Sequence, residues 1–126
     1  MTKEFIPYEQ ALALKELGFN EPCFAYYNGY KELDHLMPER VVVGRNYNGD
    51  TITSAPLFQQ AFRWFREKYN LIGLVEGGYD NGKNIFTYVI WDDFRDNIFD
   101  DYYFTYEETE LECLKKLIQI ANEKTI

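Results

Sequence analysis

Apolar positions along this chain switch between a helical period and an alternating one, and the switches mark its elements. Residues 7–17 open with Pro7, carry Glu9 early and are mostly strong helix formers, with Gly18 following where a left-handed cap is wanted, so they predict a first helix. After Pro22 the character changes. Residues 23–27 are aromatic and extended and run into Asn28-Gly29, a dipeptide suited to a two-residue hairpin turn. Residues 30–37 fit either a returning strand or a loop ahead of Pro38. Residues 40–47, β-branched at their centre, end at a second Asn-Gly pair, Asn48-Gly49, beyond which residues 51–53 offer a partner strand.

Ser54 then offers an N-cap, Pro56 falls in a first turn, and Leu57, Phe58, Ala61, Phe62, Phe65 and Tyr69 recur at three- and four-residue spacing up to Asn70, with Trp64 widening the stripe. Residues 71–79 and 84–91 flank Asp80, Asn81, Gly82 and Lys83, the clearest hairpin in the chain. It places Asp80 opposite Lys83. Residues 92–101 are polar and acidic, and Tyr102, Tyr103 and Phe104 resume a strand-like pattern. Thr105 and Glu108 have capping-box spacing, and the helix they open extends to about Asn122, burying Leu111, Leu114, Leu117, Ile118 and Ala121.

Strands do not alternate regularly with crossover helices, and no repeat or linker interrupts the chain. The pattern predicts an α+β fold: one domain over residues 1–126, a mainly antiparallel sheet built from hairpins, and three helices packed on it.

Composition narrows the function. The 126 residues are 46% hydrophobic and 27% charged, as in soluble globular domains, and 13 basic against 21 acidic side chains leave a net charge of −8. That charge opposes general binding of nucleic acid or of anionic membranes. No apolar run reaches the roughly 18–20 residues of a membrane helix, and the N-terminus lacks a signal-peptide pattern, so a cytoplasmic location is expected. Cys23 and Cys113 lack metal-ligand spacing and are expected as buried free thiols.

Candidate chemistry is sparse. The one histidine, His35, lies twelve residues beyond Cys23, and a Cys-His dyad between them would lack a third group and an oxyanion hole. Asp92, Asp93, Asp96, Asp100 and Asp101 lack the spacing of a calcium loop and read as solvated carboxylates. Neither a metal nor a cofactor is expected. The unusual feature is 11 Tyr and 10 Phe, because tyrosine suits contact surfaces that are apolar in body and polar at the tip.

Three segments, residues 5–19, 55–66 and 105–108 with Cys113 and Leu114, together resemble a family of small uncharacterised proteins that recur in Bacteroides-type gut bacteria and their phages and prophages. The resemblance covers the helices and leaves the hairpins unmatched. It implies a cytoplasmic, phage-derived origin and carries no active site.

The residues thus point to a non-enzymatic protein-interaction module that binds a protein partner or itself, with Tyr26, Tyr27, Tyr30, Tyr47, Trp91, Asp92, Asp93, Tyr102 and Tyr103 as candidate contact residues. Two alternatives stand beside it. One is an acidic decoy of nucleic-acid-binding proteins, motivated by the charge; the other is a small hydrolase using carboxylates near Trp91 or Trp64, which requires two acids in a cleft with at least one raised pKa.

Overall fold

The computed structural model describes residues 4–35, 46–92, 97–99 and 102–124. The chain divides into two compact units, Met1–Gln60 and Ala61–Ile126. As the hydrophobic pattern predicts, the fold is α+β, and among the described residues every strand pair is antiparallel, arranged as two three-stranded sheets.

The first unit holds helix α1 (Tyr8–Glu16) and strands β1 (Ala25–Tyr27), β2 (Leu33–His35) and β3 (Thr53–Ser54), in the order β2-β1-β3. Pro7 sits just ahead of the helix in an extended conformation, and its carbonyl accepts the Ala11 N–H at 2.9 Å. Gly18, at φ +100°, ends α1 as expected. Its N–H donates to the Lys15 carbonyl and the Phe19 N–H to the Leu14 carbonyl, the paired bonds of a Schellman cap, with both Leu14 and Phe19 buried.

The turn after β1 is wider than the Asn28-Gly29 dipeptide suggests. Tyr27 pairs with Leu33, which leaves a five-residue loop over residues 28–32. The Asn28 side-chain oxygen accepts the N–H groups of both Tyr30 and Glu32, and Lys31, not Gly29, takes the left-handed conformation. The asparagine side chain has replaced the two-residue turn with its own bonds. The ambiguous segment after it contributes β2.

Residues 40–45 of the second expected hairpin lie outside the described residues. Asn46 and Tyr47 are not in a strand, and β3 pairs with β1, Tyr26 opposite Ser54 and Tyr27 opposite Thr53. Asn48 again acts through its side chain, donating to the Phe19 carbonyl at 2.7 Å and accepting the Ser54 N–H at 2.9 Å. Ser54 is a buried strand residue, not a helix cap, and its hydroxyl accepts the Tyr47 N–H at 2.7 Å. The chain stays extended beyond it: Ala55 donates to the Ala25 carbonyl, and the Pro56 carbonyl accepts the Ile6 N–H. Helix α2 (Phe58–Tyr69) therefore starts later than the Ser54 signal implies.

The second unit contains the rest of α2, strands β4 (Ile72–Asp80), β5 (Lys83–Trp91) and β6 (Asn97–Phe99), and helix α3 (Tyr106–Lys124), with sheet order β4-β5-β6. Along α2, Trp64, Phe65 and Tyr69 pack ring against ring. Asn70, at φ +55°, closes the helix. The β4–β5 hairpin forms as expected, with Asn81 and Gly82 both at positive φ and Asp80 opposite Lys83.

The third strand differs from expectation. It is β6, inside the polar segment after Trp91, and of the aromatic run behind it only Tyr103 makes a bridge, exchanging two 2.8 Å backbone bonds with Phe86. The Thr105 cap of α3 is present: its hydroxyl accepts the Glu108 N–H at 3.1 Å. Thr109, Cys113, Leu114, Leu117, Ile118 and Ala121 form the buried stripe; Cys113 and Thr109 join it, while Leu111 is only half-buried.

Candidate functional site

Alternation along β4 and β5 separates their side chains into two rows. Gly73 lies against Cys113 and Leu117, so its row, with cross-strand partners Ile90, Tyr88 and Phe86, faces α3. Ile90 and Tyr88 are buried there, and Phe86 covers Gly77 and meets the Tyr106 ring edge-on at 6.1 Å. The opposite row of β4 reads Ile72, Leu74, Glu76, Gly78 and Asp80. Ile72 and Leu74 are 37% and 46% exposed, and Trp91, directly across from Ile72, is 39% exposed. Val89, opposite Leu74 in the middle strand, is buried. On this face of β4 and β5 the accessible apolar side chains thus lie on the outer strand and at its neighbour's end.

Among the described residues no strand pairs with the other side of β4. Its register against β5 runs unbroken through nine pairs, from Ile72–Trp91 to Asp80–Lys83. No bulge or proline interrupts this edge, and Glu76 in the middle of the strand and Asp80 at its end are the charges that guard it against a further strand. Tyr79 near the hairpin tip and Tyr102, Phe104 and Tyr106 around the start of α3 are exposed as well.

The candidate contact residues separate by unit. Tyr27 and Tyr47 are buried: the Tyr27 hydroxyl donates to the Ile6 carbonyl at 2.6 Å, and its ring meets Tyr8 edge-on. Tyr26 is half-buried, 4.7 Å from the Tyr47 ring, with its hydroxyl 3.4 Å from the Asp34 carboxylate. Tyr30 projects from the 28–32 loop and is exposed. In the second unit Trp91 and Tyr102 are exposed, and Asp92 and Tyr103 are half-buried. Asp93 lies outside the described residues. Ile72 and Leu74, which the sequence places only in one arm of a hairpin, are displayed; strand order puts them at an edge.

Reactive chemistry is muted. Burial pushes the Cys23 thiol up to about 12, against opposing hydrogen bonds from Ser54 and Gln60, and burial with the Glu110 charge does the same to Cys113. Both are protonated near neutral pH and poor nucleophiles. Glu110, half-buried on α3, is raised by burial and by the neighbouring Glu107 carboxylate. These two acids share one helix, three residues apart, rather than facing each other across a substrate. Among the described residues no three His, Cys, Asp or Glu side chains are grouped to hold a metal ion, and no helix is long and apolar enough to cross a membrane.

Comparison with protein-family models, curated proteins and solved structures gives no match.

Proposed function

We propose that the protein is a non-enzymatic cytoplasmic interaction module whose contact surface is the open edge and outer row of β4 with Trp91 beside it. The observation that carries this reading is the exposure of Ile72, Leu74 and Trp91 along a regular strand edge that no other strand pairs with among the described residues. Backbone groups at such an edge supply affinity, and the alternate side chains supply selectivity.

The test is affinity capture from host lysate at low and high salt, with wild type beside Leu74→Lys. The reading expects a partner that wild type retains and the variant loses. Equal capture by both proteins removes β4 from the function. Glu76 and Asp80 in the same row favour one second reading, the acidic decoy, which expects a basic partner released by salt.

A further inference from the structure

We infer that Asn81 is a site of spontaneous modification, where the side-chain amide is lost to give aspartate and isoaspartate, while the fold holds the two other Asn-Gly pairs of the chain unreactive.

The chemistry belongs to asparagine followed by glycine. The backbone nitrogen of the glycine attacks the asparagine Cγ, so that an N–Cγ bond forms and the Cγ–Nδ2 bond breaks. The proton of the attacking nitrogen leaves with the amide nitrogen as ammonia. Water then opens the five-membered imide. Opening at Cγ leaves aspartate in the normal chain, and opening at the main-chain carbonyl carbon leaves isoaspartate, with the chain routed through Cγ. Neither oxidant nor reductant takes part. Glycine favours the step because it has no β-carbon to obstruct the approach of its nitrogen. Asn28-Gly29, Asn48-Gly49 and Asn81-Gly82 are all such pairs, so local sequence does not separate them.

Their hydrogen bonds do. To bring its Cγ onto the Gly29 nitrogen, Asn28 must release the N–H groups of Tyr30 at 2.9 Å and Glu32 at 3.1 Å from its side-chain oxygen. The Asn48 amide is held at both ends: Nδ2, the leaving nitrogen, donates to the Phe19 carbonyl at 2.7 Å, and Oδ1 accepts the Ser54 N–H at 2.9 Å. Its attacking group is engaged as well, because the Gly49 N–H donates to the Ile52 carbonyl at 3.1 Å. Asn81 is under none of these restraints. Among the described residues neither its side chain nor the Gly82 N–H makes a hydrogen bond. Both residues are exposed, and no atom stands within 4 Å of the place a β-carbon on Gly82 would take. The imide ring therefore has room to close, at the tip of a hairpin, where a fold opens most easily.

The two products differ in what they do to that hairpin. Aspartate keeps the turn, since Asp-Gly suits the same positive-φ geometry as Asn-Gly. Isoaspartate adds a backbone atom to a two-residue connection and so spoils the match between Asp80 and Lys83. The damage starts at the tip. At the other end of the hairpin, Gly73 lies against Cys113 and Leu117 of α3, which hold β4 in place.

The experiment incubates the folded full-length protein in mildly alkaline buffer beside the same chain denatured in guanidinium, and follows each Asn-Gly peptide by mass spectrometry. Isoaspartate is counted separately by isoaspartyl methyltransferase labelling. In the folded protein Asn81 is expected to convert about tenfold or more faster than Asn28 or Asn48, the order set by the hydrogen bonds those two must first give up. In the denatured chain the three should convert at comparable rates. Asn81→Asp, which keeps a turn-forming pair, should abolish most of the mass gain of the folded protein. The isoaspartate form, separated by ion exchange, should exchange amide hydrogens faster over residues 79–84 than either wild type or Asn81→Asp.

Conversion of Asn28 or Asn48 in the folded protein as fast as that of Asn81 overturns the inference, and so does an Asn81 that stays intact when folded and converts only when denatured. The same ranking in both states overturns it too, because the selectivity would then belong to sequence and not to the fold.

Discussion

Gly73 of β4 lies so close to Cys113 of α3 that a β-carbon on it would stand 2.9 Å from the Cys113 sulfur and 3.1 Å from a Leu117 methyl carbon. Cys113 and Leu117 are fully buried, so neither has open space to move into. The glycine thus sets how closely the helix approaches the sheet. Gly73→Ala is expected to destabilise the protein by about 1–3 kcal/mol through overpacking, read from the urea unfolding midpoint. Adding Cys113→Ala removes the nearest atom, so the double variant should lose less stability than the two single losses added together.

The two thiols make a pH-dependent prediction. Cys23 and Cys113 are each raised from 9.0 to about 12 with burial as the leading cause. The fold therefore favours the neutral thiol. This stabilisation is intact below the unfolded-state value and is lost as pH rises from about 9 toward 12, because the unfolded chain releases those protons first. Unfolding midpoints should fall on the alkaline side of pH 9, less steeply in a variant with both cysteines replaced by alanine. At pH 8 a thiol reagent should label native protein slowly and denatured protein at two sites; rapid labelling of the native form would contradict the burial argument.

How much of the fold is legible in the sequence depends on where the deciding interactions lie. The β4–β5 turn was readable because Asn81 and Gly82 impose its backbone locally, and the ends of α1 and α3 because Gly18 and Thr105 act within one helical turn. The same local signal misled at Asn28 and Asn48. Their side chains take other bonds, Asn28 within its own loop and Asn48 with nearby Ser54 and with Phe19, distant in sequence. Ser54 likewise looks like a cap until β1 pairs with it. For the surface, tyrosine content pointed to Tyr27 and Tyr47, which are buried, whereas Ile72 and Leu74 resemble core residues. Whether a strand is central or at an edge is a property of sheet order, and no short stretch of sequence contains it.

Tyr27 shows the alternative fate of such an aromatic. Its hydroxyl donates at 2.6 Å to the carbonyl of Ile6, whose own N–H is bonded to Pro56. Burial raises the phenol's pKa, so the donor keeps its proton well into the alkaline range. Tyr27→Phe keeps the ring against Tyr8 but leaves a buried carbonyl short of a donor. A loss of about 1–2 kcal/mol is expected in urea unfolding. An unchanged midpoint would mean that solvent reaches the Ile6 carbonyl.

At the start of α3, two threonines share one carbonyl and make separable contributions. The Thr105 hydroxyl accepts the Glu108 N–H at 3.1 Å, while the Thr105 carbonyl accepts both the Thr109 N–H at 3.2 Å and the Thr109 hydroxyl at 2.8 Å. Thr105→Ala removes the cap from the helix that carries much of this unit's core and is expected to cost about 0.5–2 kcal/mol, with Thr105→Ser restoring most of it. Thr109→Val removes only the second bond to a carbonyl that keeps its backbone donor, and the added methyl replaces the hydroxyl in a buried site. Its cost should be below about 1 kcal/mol. If Thr109→Val proves the more damaging of the two, the buried hydroxyl rather than the cap secures the first turn, and the order of the measured unfolding midpoints decides between them.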